Sequence, residues 1–131
     1  MPDFPAISHA AVTVSDLARS TQWYTALIGS EPVLDEDEHI GGYHHTLFAL
    51  EGGQLFALHR HPQPAHDRFD ERRTGLDHVA FACADRAGLL RWAARLDELG
   101  ILHEEIVDAP YGSGLSFRDP DGNAFSITET A

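Results

Sequence analysis

A chain of 131 residues with 43% apolar, 9% aromatic and 23% charged side chains is expected to fold as one globular domain, or as two small modules, with a core of its own. Its formal charge of −12 repels phosphate backbones and anionic lipid surfaces, so nucleic acid and membrane are not expected partners, and no apolar run approaches the roughly 20 residues of a bilayer span. All nine basic residues are arginines, which excludes lysine Schiff-base and P-loop chemistry. The lone Cys83 excludes an intrachain disulfide, and the MPDFPAIS start has no signal-peptide pattern, so the expected location is cytoplasmic.

In chain order, residues 7–14 alternate as a strand and end at Asp16, a good helix N-cap. A helix over 17–28 follows and stops at Gly29, where a left-handed C-terminal cap is expected. Strands are predicted over 31–35, 43–50 and 54–60, with Gly52 and Gly53 turning the last pair. The acidic run at 35–38, DEDE, reads as a solvated loop. Residues 61–74, HPQPAHDRFDERRT, are rich in proline and charge and read as a linker. The order then recurs: a strand over 76–83, the cap Asp85, a helix over 86–99 stopping at Gly100, and strands over 101–107, 114–118 and 124–128. The run DPDGN, 119–123, turns the final pair.

This recurrence has a register. At an offset of 69 residues His9 meets His78, Ala11 meets Ala80, Asp16 meets Asp85, Trp23 meets Trp92, Leu27 meets Leu96, Phe48 meets Phe117 and Phe56 meets Phe125. The expectation is an internal duplication of a βαβββ unit, with module 1 at about 5–60, the linker at 61–74 and module 2 at about 75–131.

Side chains alternate across a strand, so His9, Ala11 and Thr13 share one face while Ala10, Val12 and Val14 share the other. The same split sets His78, Ala80 and Ala82 against Val79, Phe81 and Cys83. In the closing strands, Leu55, Ala57 and His59 oppose Phe56 and Leu58, and Ala124, Ser126 and Thr128 oppose Phe125 and Ile127. The greasy faces are expected to pack the helices, with Trp23 and Trp92 between helix and sheet; the small, polar faces are expected to line a ligand cavity. By parity His45, and not His44, shares that cavity.

The segments ISHAAVTVSDLARSTQWYTALIG, GLDHVAFACADRAGLLRWAARLDELG and LSFRDPDGNAFSI together resemble the vicinal oxygen chelate superfamily, the glyoxalase, bleomycin-resistance and extradiol-dioxygenase group. The resemblance covers nearly the whole chain. It implies an α+β fold of two tandem βαβββ modules in a cup-shaped mixed sheet, a small-molecule ligand and a homodimer, with modules paired within one chain or across two. It also implies metal ligands on the first strand of each module, matched here by His9 and His78. The glutamate expected on the fourth strand is replaced by Ser126 in one module and Ala57 in the other, neither a normal ligand for zinc, nickel, manganese or iron. His59, two residues beyond Ala57 on the same face, is the candidate third imidazole. With both carboxylates gone, neither glyoxalase I chemistry nor extradiol cleavage is the expectation. Two readings stand at this point: a metal-dependent lyase, isomerase or oxygenase, and a metal-free protein that sequesters its ligand. In both, the cavity is expected to be lined by Ala11, Thr13, Ala57, Ala80, Arg118, Ser126 and Thr128, with Arg118 either clamping an anionic ligand group or paired with an acid. Tyr111, in APYGSG, is expected in a rim loop.

Overall fold

The computed structural model describes residues 1–38, 42–63, 65 and 67–129. The chain divides into two compact units, residues 1–66 and 67–131. In the first, strand β1 (His9–Thr13) leads through helix α1 (Leu17–Ile28) to strands β2 (Leu34–Glu38), β3 (Tyr43–Ala49) and β4 (Leu55–Arg60), with one 3-10 turn over Glu51–Gly53. In the second, β5 (Val79–Ala82) leads through α2 (Arg86–Glu98) to β6 (Val107–Ala109), β7 (Gly112–Arg118) and β8 (Ala124–Glu129). Each unit forms a four-stranded mixed sheet, ordered β1-β4-β3-β2 and β5-β8-β7-β6. The first and last strands run parallel, and the other neighbours run antiparallel. The fold is therefore α+β, two tandem βαβββ modules.

Both helices begin where a carboxylate satisfies an orphan N–H: Asp16 Oδ1 accepts from Arg19 N at 3.0 Å, and Asp85 Oδ1 from Gly88 N at 2.8 Å. Helix α1 ends at Gly29, whose φ of +82° is the left-handed cap and whose N–H reaches Thr25 O at 2.9 Å. Helix α2 stops one residue before the predicted end, with Leu99 as cap and Gly100 at φ +71°. Neither helix is long and apolar enough to cross a membrane.

The pairing register repeats at the offset of 69 residues. Ala11 faces Ala57 as Ala80 faces Ser126, and Phe48 faces Phe56 as Phe117 faces Phe125. The face under α1 carries Val12, Val14, Phe48, Phe56 and Leu58, all buried with Tyr24 and Leu27. The face under α2 carries Leu115, Phe117, Phe125 and Ile127, buried with Leu89 and Leu96. The helix side of each core rests less on tryptophan than the sequence implies: Trp23 and Trp92 are half-buried, Trp23 standing edge-on to Tyr24 with ring centroids 4.8 Å apart.

Two edge strands correct the sequence reading. The DEDE run at 35–38 is not a loop but four of the five residues of β2, paired antiparallel along β3. Charged residues are at home on a sheet edge, where they discourage pairing with another chain. The strand predicted over 101–107 is replaced by a three-residue β6 and one isolated bridge from His103 to Phe117. The backbone of 99–101 instead closes onto α2, with Ile101 N donating to Leu96 O at 2.9 Å, and His103 Nε2 is engaged by Asp97 Oδ1 at 2.8 Å. Residues 67–74, read as part of a linker, lie in the second unit, where Phe69 N donates to Asp121 O at 3.3 Å.

The cores differ at one informative position. Ser20 and Leu89 are equivalent by the offset and both are fully buried, but among the described residues Ser20 Oγ has no hydrogen-bond partner. Ser20→Ala is therefore expected to leave stability unchanged or raise it by about 1 kcal/mol, because an unpaired buried hydroxyl is removed. Leu89→Ala should cost about 2–5 kcal/mol through the cavity it leaves. Urea unfolding of both variants checks the pair, and a Ser20→Ala loss above about 1 kcal/mol would show a hidden partner for the hydroxyl.

Candidate functional site

Strand register places the candidate residues. In module 1, His9 pairs with Leu55, Ala11 with Ala57 and Thr13 with His59, so all six project from the face away from α1. His45 pairs with His59 across β3 and β4 and joins this face, as parity predicts. His9, Ala11 and Thr13 are exposed, while Ala57 is buried.

Around His59 the structure assembles a cluster. Its ring stacks on Tyr43 with centroids 4.5 Å apart, while His45 stands edge-on at 5.8 Å and His61 lies at 6.2 Å. Burial, followed by the neighbouring charges of His45, His61 and His9, lowers the His59 pKa below the ordinary histidine value. His59 is thus held neutral at pH 7, with its nitrogens available to a ligand. Behind the cluster, Glu36 Oε1 accepts from His45 Nε2 at 3.4 Å. Glu36 is not legible as a site residue from the sequence, because the charged run that carries it reads as a loop. The signal that could have found it is the alternation of Leu34, Glu36 and Glu38 opposite Tyr43, His45 and Leu47.

His44 lies on the opposite face, and both its ring nitrogens meet carboxylates: Nε2 is in short contact with Asp35 Oδ1, and Nδ1 lies 2.7 Å from Asp37 Oδ1. Carboxylates only accept, so the ring that satisfies both is the imidazolium. Hydrogen bonds first to Asp35 and then to Asp37 raise its pKa above the ordinary value. A groove of about 670 Å³ opens here, walled by Asp16, Thr21, Asp35, His44 and Arg60.

In module 2 the equivalent face carries Ala80 opposite Ser126, Ala82 opposite Thr128 and Gly114 opposite Thr128. Ala80 is exposed and Ser126 is buried. His78 precedes β5, its Nδ1 2.8 Å from Asp77 Oδ1. Arg118, last in β7, pairs with Glu71: Nη2 donates to Oε1 at 2.7 Å and Nη1 to Oε2 at 3.1 Å. Of the two roles the sequence allowed it, this contact is the pairing with an acid. Glu129 pairs with Ser113 and, an odd number of residues from Ser126, lies on the α2 side. Tyr111 is exposed in the turn between β6 and β7.

The donors within each module do not suit a transition-metal ion. The fourth-strand positions hold a methyl and a hydroxyl, and among the described residues no three His, Cys, Asp or Glu side chains are placed to hold a metal.

Residues 6–127 match the family model described as the Glyoxalase/Bleomycin resistance protein/Dioxygenase superfamily. The chain belongs to that superfamily. Among solved superfamily structures, a glyoxylase/bleomycin resistance protein/dioxygenase domain from Frankia sp. EAN1pec is 29% identical, with a TM-score of 0.86 over 98% of this chain and 94% of that one. A mutant of the fosfomycin resistance protein FosX from Listeria monocytogenes, crystallised with Mn(II) and 1S,2S-dihydroxypropylphosphonic acid, is 16% identical with a TM-score of 0.67, covering 95% and 92% of the two chains. It shares the fold. In sequence, biphenyl-2,3-diol 1,2-dioxygenase 3 from Rhodococcus globerulus is 26% identical over 94% of this chain, which spans 62% of that superfamily member's length.

The two histidines should titrate in opposite directions. His44 binds its proton more tightly when folded, so its stabilising contribution is complete below the unfolded value of about 6.5 and is lost as pH rises through the raised folded value. His59 binds its proton less tightly when folded, so it lowers stability as pH falls through about 6.5. Proton NMR titration should place the His44 midpoint above 6.5 and that of His59 below it. The reverse order would contradict the hydrogen-bonded and buried environments described.

Proposed function

We propose that this protein binds a small organic molecule on the polar faces of its modules, at the face carrying Ala11, Thr13, Ala57 and His59 in module 1 and Ala80, Arg118, Ser126 and Thr128 in module 2. The observation that carries this reading is the sorting of side chains by register. One face of each sheet holds the aromatic and aliphatic core, while the other is mostly alanine, serine, threonine and histidine, and its larger apolar residues in module 1, Leu34, Leu47 and Leu55, are not part of the buried core. The His59 cluster supplies recognition at that face: a neutral imidazole, a phenol, and an imidazole backed by Glu36. The replacement of both family carboxylates by Ala57 and Ser126 supports binding over glyoxalase I or extradiol chemistry, and no reaction step is assigned to a metal.

A second reading keeps a divalent ion, zinc, nickel, manganese or iron, on His9 and His78. It is favoured by the matched placement of the two rings, both exposed, and by the Mn(II) in the FosX crystal. Elemental analysis of protein purified without chelator or histidine tag separates the readings. Metal well below about one atom per site, unchanged in a His9→Ala/His78→Ala variant, is expected for the metal-free binder. About one atom per site, lost in that variant, would establish the second reading. Ligand binding itself is tested by a thermal-shift screen of small molecules, beginning with cationic antibiotics, in which a true ligand raises the unfolding midpoint of the wild type and raises it less in His59→Ala.

The superfamily resemblance further supports a homodimer. Size-exclusion chromatography with light scattering is expected to give twice the 14.4 kDa chain mass, and a monomer would remove this part of the reading.

A further inference from the structure

Arg118 ends β7 opposite Ala124 and therefore shares the polar face with Ser116 and Ser126. Its guanidinium makes three hydrogen bonds, one from each Nη to the two oxygens of Glu71 and one from Nη1 to Gly122 O at 2.9 Å. Two parallel N–H groups on two oxygens is the arrangement that fits a planar carboxylate and that a lysine ammonium cannot reproduce. The partner that fills this fork is not part of the sheet. Glu71 lies outside every helix and strand, on a segment tied to the β7–β8 turn by long contacts, Phe69 N to Asp121 O at 3.3 Å and Arg68 Nη1 to Pro120 O at 3.4 Å. The segment's other ion pairs, Arg72 with Asp70 and Arg73 with Asp67, are internal to it. Displacing the Glu71 side chain would break its two bonds to Arg118 but no strand ladder and neither of those pairs. The Arg118 and Glu71 side chains are 49% and 37% exposed, so solvent, or a solute, reaches the fork. The side chains flanking the fork on the sheet, Ala124, Ser116 and Ser126, are small; Ser116 is exposed, Ala124 half-buried and Ser126 buried.

We propose that Arg118 is a carboxylate-binding subsite and that Glu71 is its internal stand-in, displaced when a ligand presents its own carboxylate. The ligand class is a small organic acid whose body lies along the Ser116–Ser126 face. This rests on the small-molecule reading above and adds the chemistry of one end of the ligand. A half-exposed ion pair is weakly held, so the open fork is about a half to a sixth of the population, and the apparent Kd of a carboxylate is raised by the same factor.

The experiment is an NMR titration of the full chain with benzoate and, as its neutral counterpart, benzamide, on wild type, Glu71→Ala and Arg118→Lys, each first shown to be folded by circular dichroism. The expected result is benzoate binding about 2- to 6-fold tighter in Glu71→Ala and weaker than wild type in Arg118→Lys, with benzamide unaffected by either change. Hydrogen exchange at residues 67–73 of the wild type should quicken when benzoate is added, which a purely structural ion pair would not do. Benzoate binding that is no tighter in folded Glu71→Ala, or equal to benzamide in all three proteins, overturns the subsite. Equal binding of both compounds would do so while leaving the small-molecule reading intact. If neither compound binds any of the three proteins the subsite falls, and the small-molecule reading is then decided by the thermal-shift screen.

Discussion

The parallel ladder between the first and last strands of each module is the constraint on which the remaining structure depends. β4 carries Phe56 and Leu58 to one side and Ala57 and His59 to the other, and it is held in register on both flanks, by β1 and by β3. A slip of one residue would turn two large apolar side chains to the polar face and bury an imidazole under α1. The hydrophobic cost of that exchange, on the order of 1.5–3 kcal/mol for each large side chain left exposed, holds the register. The β5–β8 ladder makes the same choice with Phe125 and Ile127 against Ser126 and Thr128.

Given that register, the two faces of module 1 treat histidine oppositely. On the helix side His44 is gripped by Asp35 and Asp37, whose hydrogen bonds raise its pKa. On the polar side His59 is packed against neighbouring rings, and burial lowers its pKa below the ordinary value. The strongly acidic β2 serves both faces, since its odd and even positions supply Asp35 and Asp37 to one and Glu36 to the other. An edge strand so charged also offers a poor template to a strand from another chain.

What the sequence makes legible is whatever depends on neighbours along the chain. Asp16, Asp85, Gly29 and Gly100 mark helix ends because capping is a local event. The face to which His9, Ala11, Ala57 and His59 belong follows from alternation alone. Edge strands are less legible: β2 has a charged composition and becomes a strand because β3 offers a ladder, while the stretch near His103 loses its ladder to contacts with α2. The site shows the same division. Glu36 and Glu71 sit in segments without apolar periodicity, and only the tertiary fold brings them to His45 and Arg118. Whether His9 and His78 hold an ion depends on ligand chemistry that strand parity does not encode.

The unequal cores of the modules bear on how the chain sorts its own halves during folding. Both sheets share strand order and register, so either helix would find a ladder of the right shape beneath it. Volume makes the distinction. Helix α1 brings Tyr24, fully buried against Phe56 with ring centroids 5.4 Å apart, where α2 has Ala93, and it brings Ser20 where α2 has Leu89. The sheets answer in kind, with Thr46 beneath α1 at the position Leu115 takes beneath α2. An exchanged helix would force a tyrosine ring onto a surface shaped around an alanine, or leave a void where that ring belongs, and either fault is destabilising in a close-packed interior. Pieces alike in outline but keyed differently inside give a chain with two copies of one plan a way to assemble each copy from its own parts.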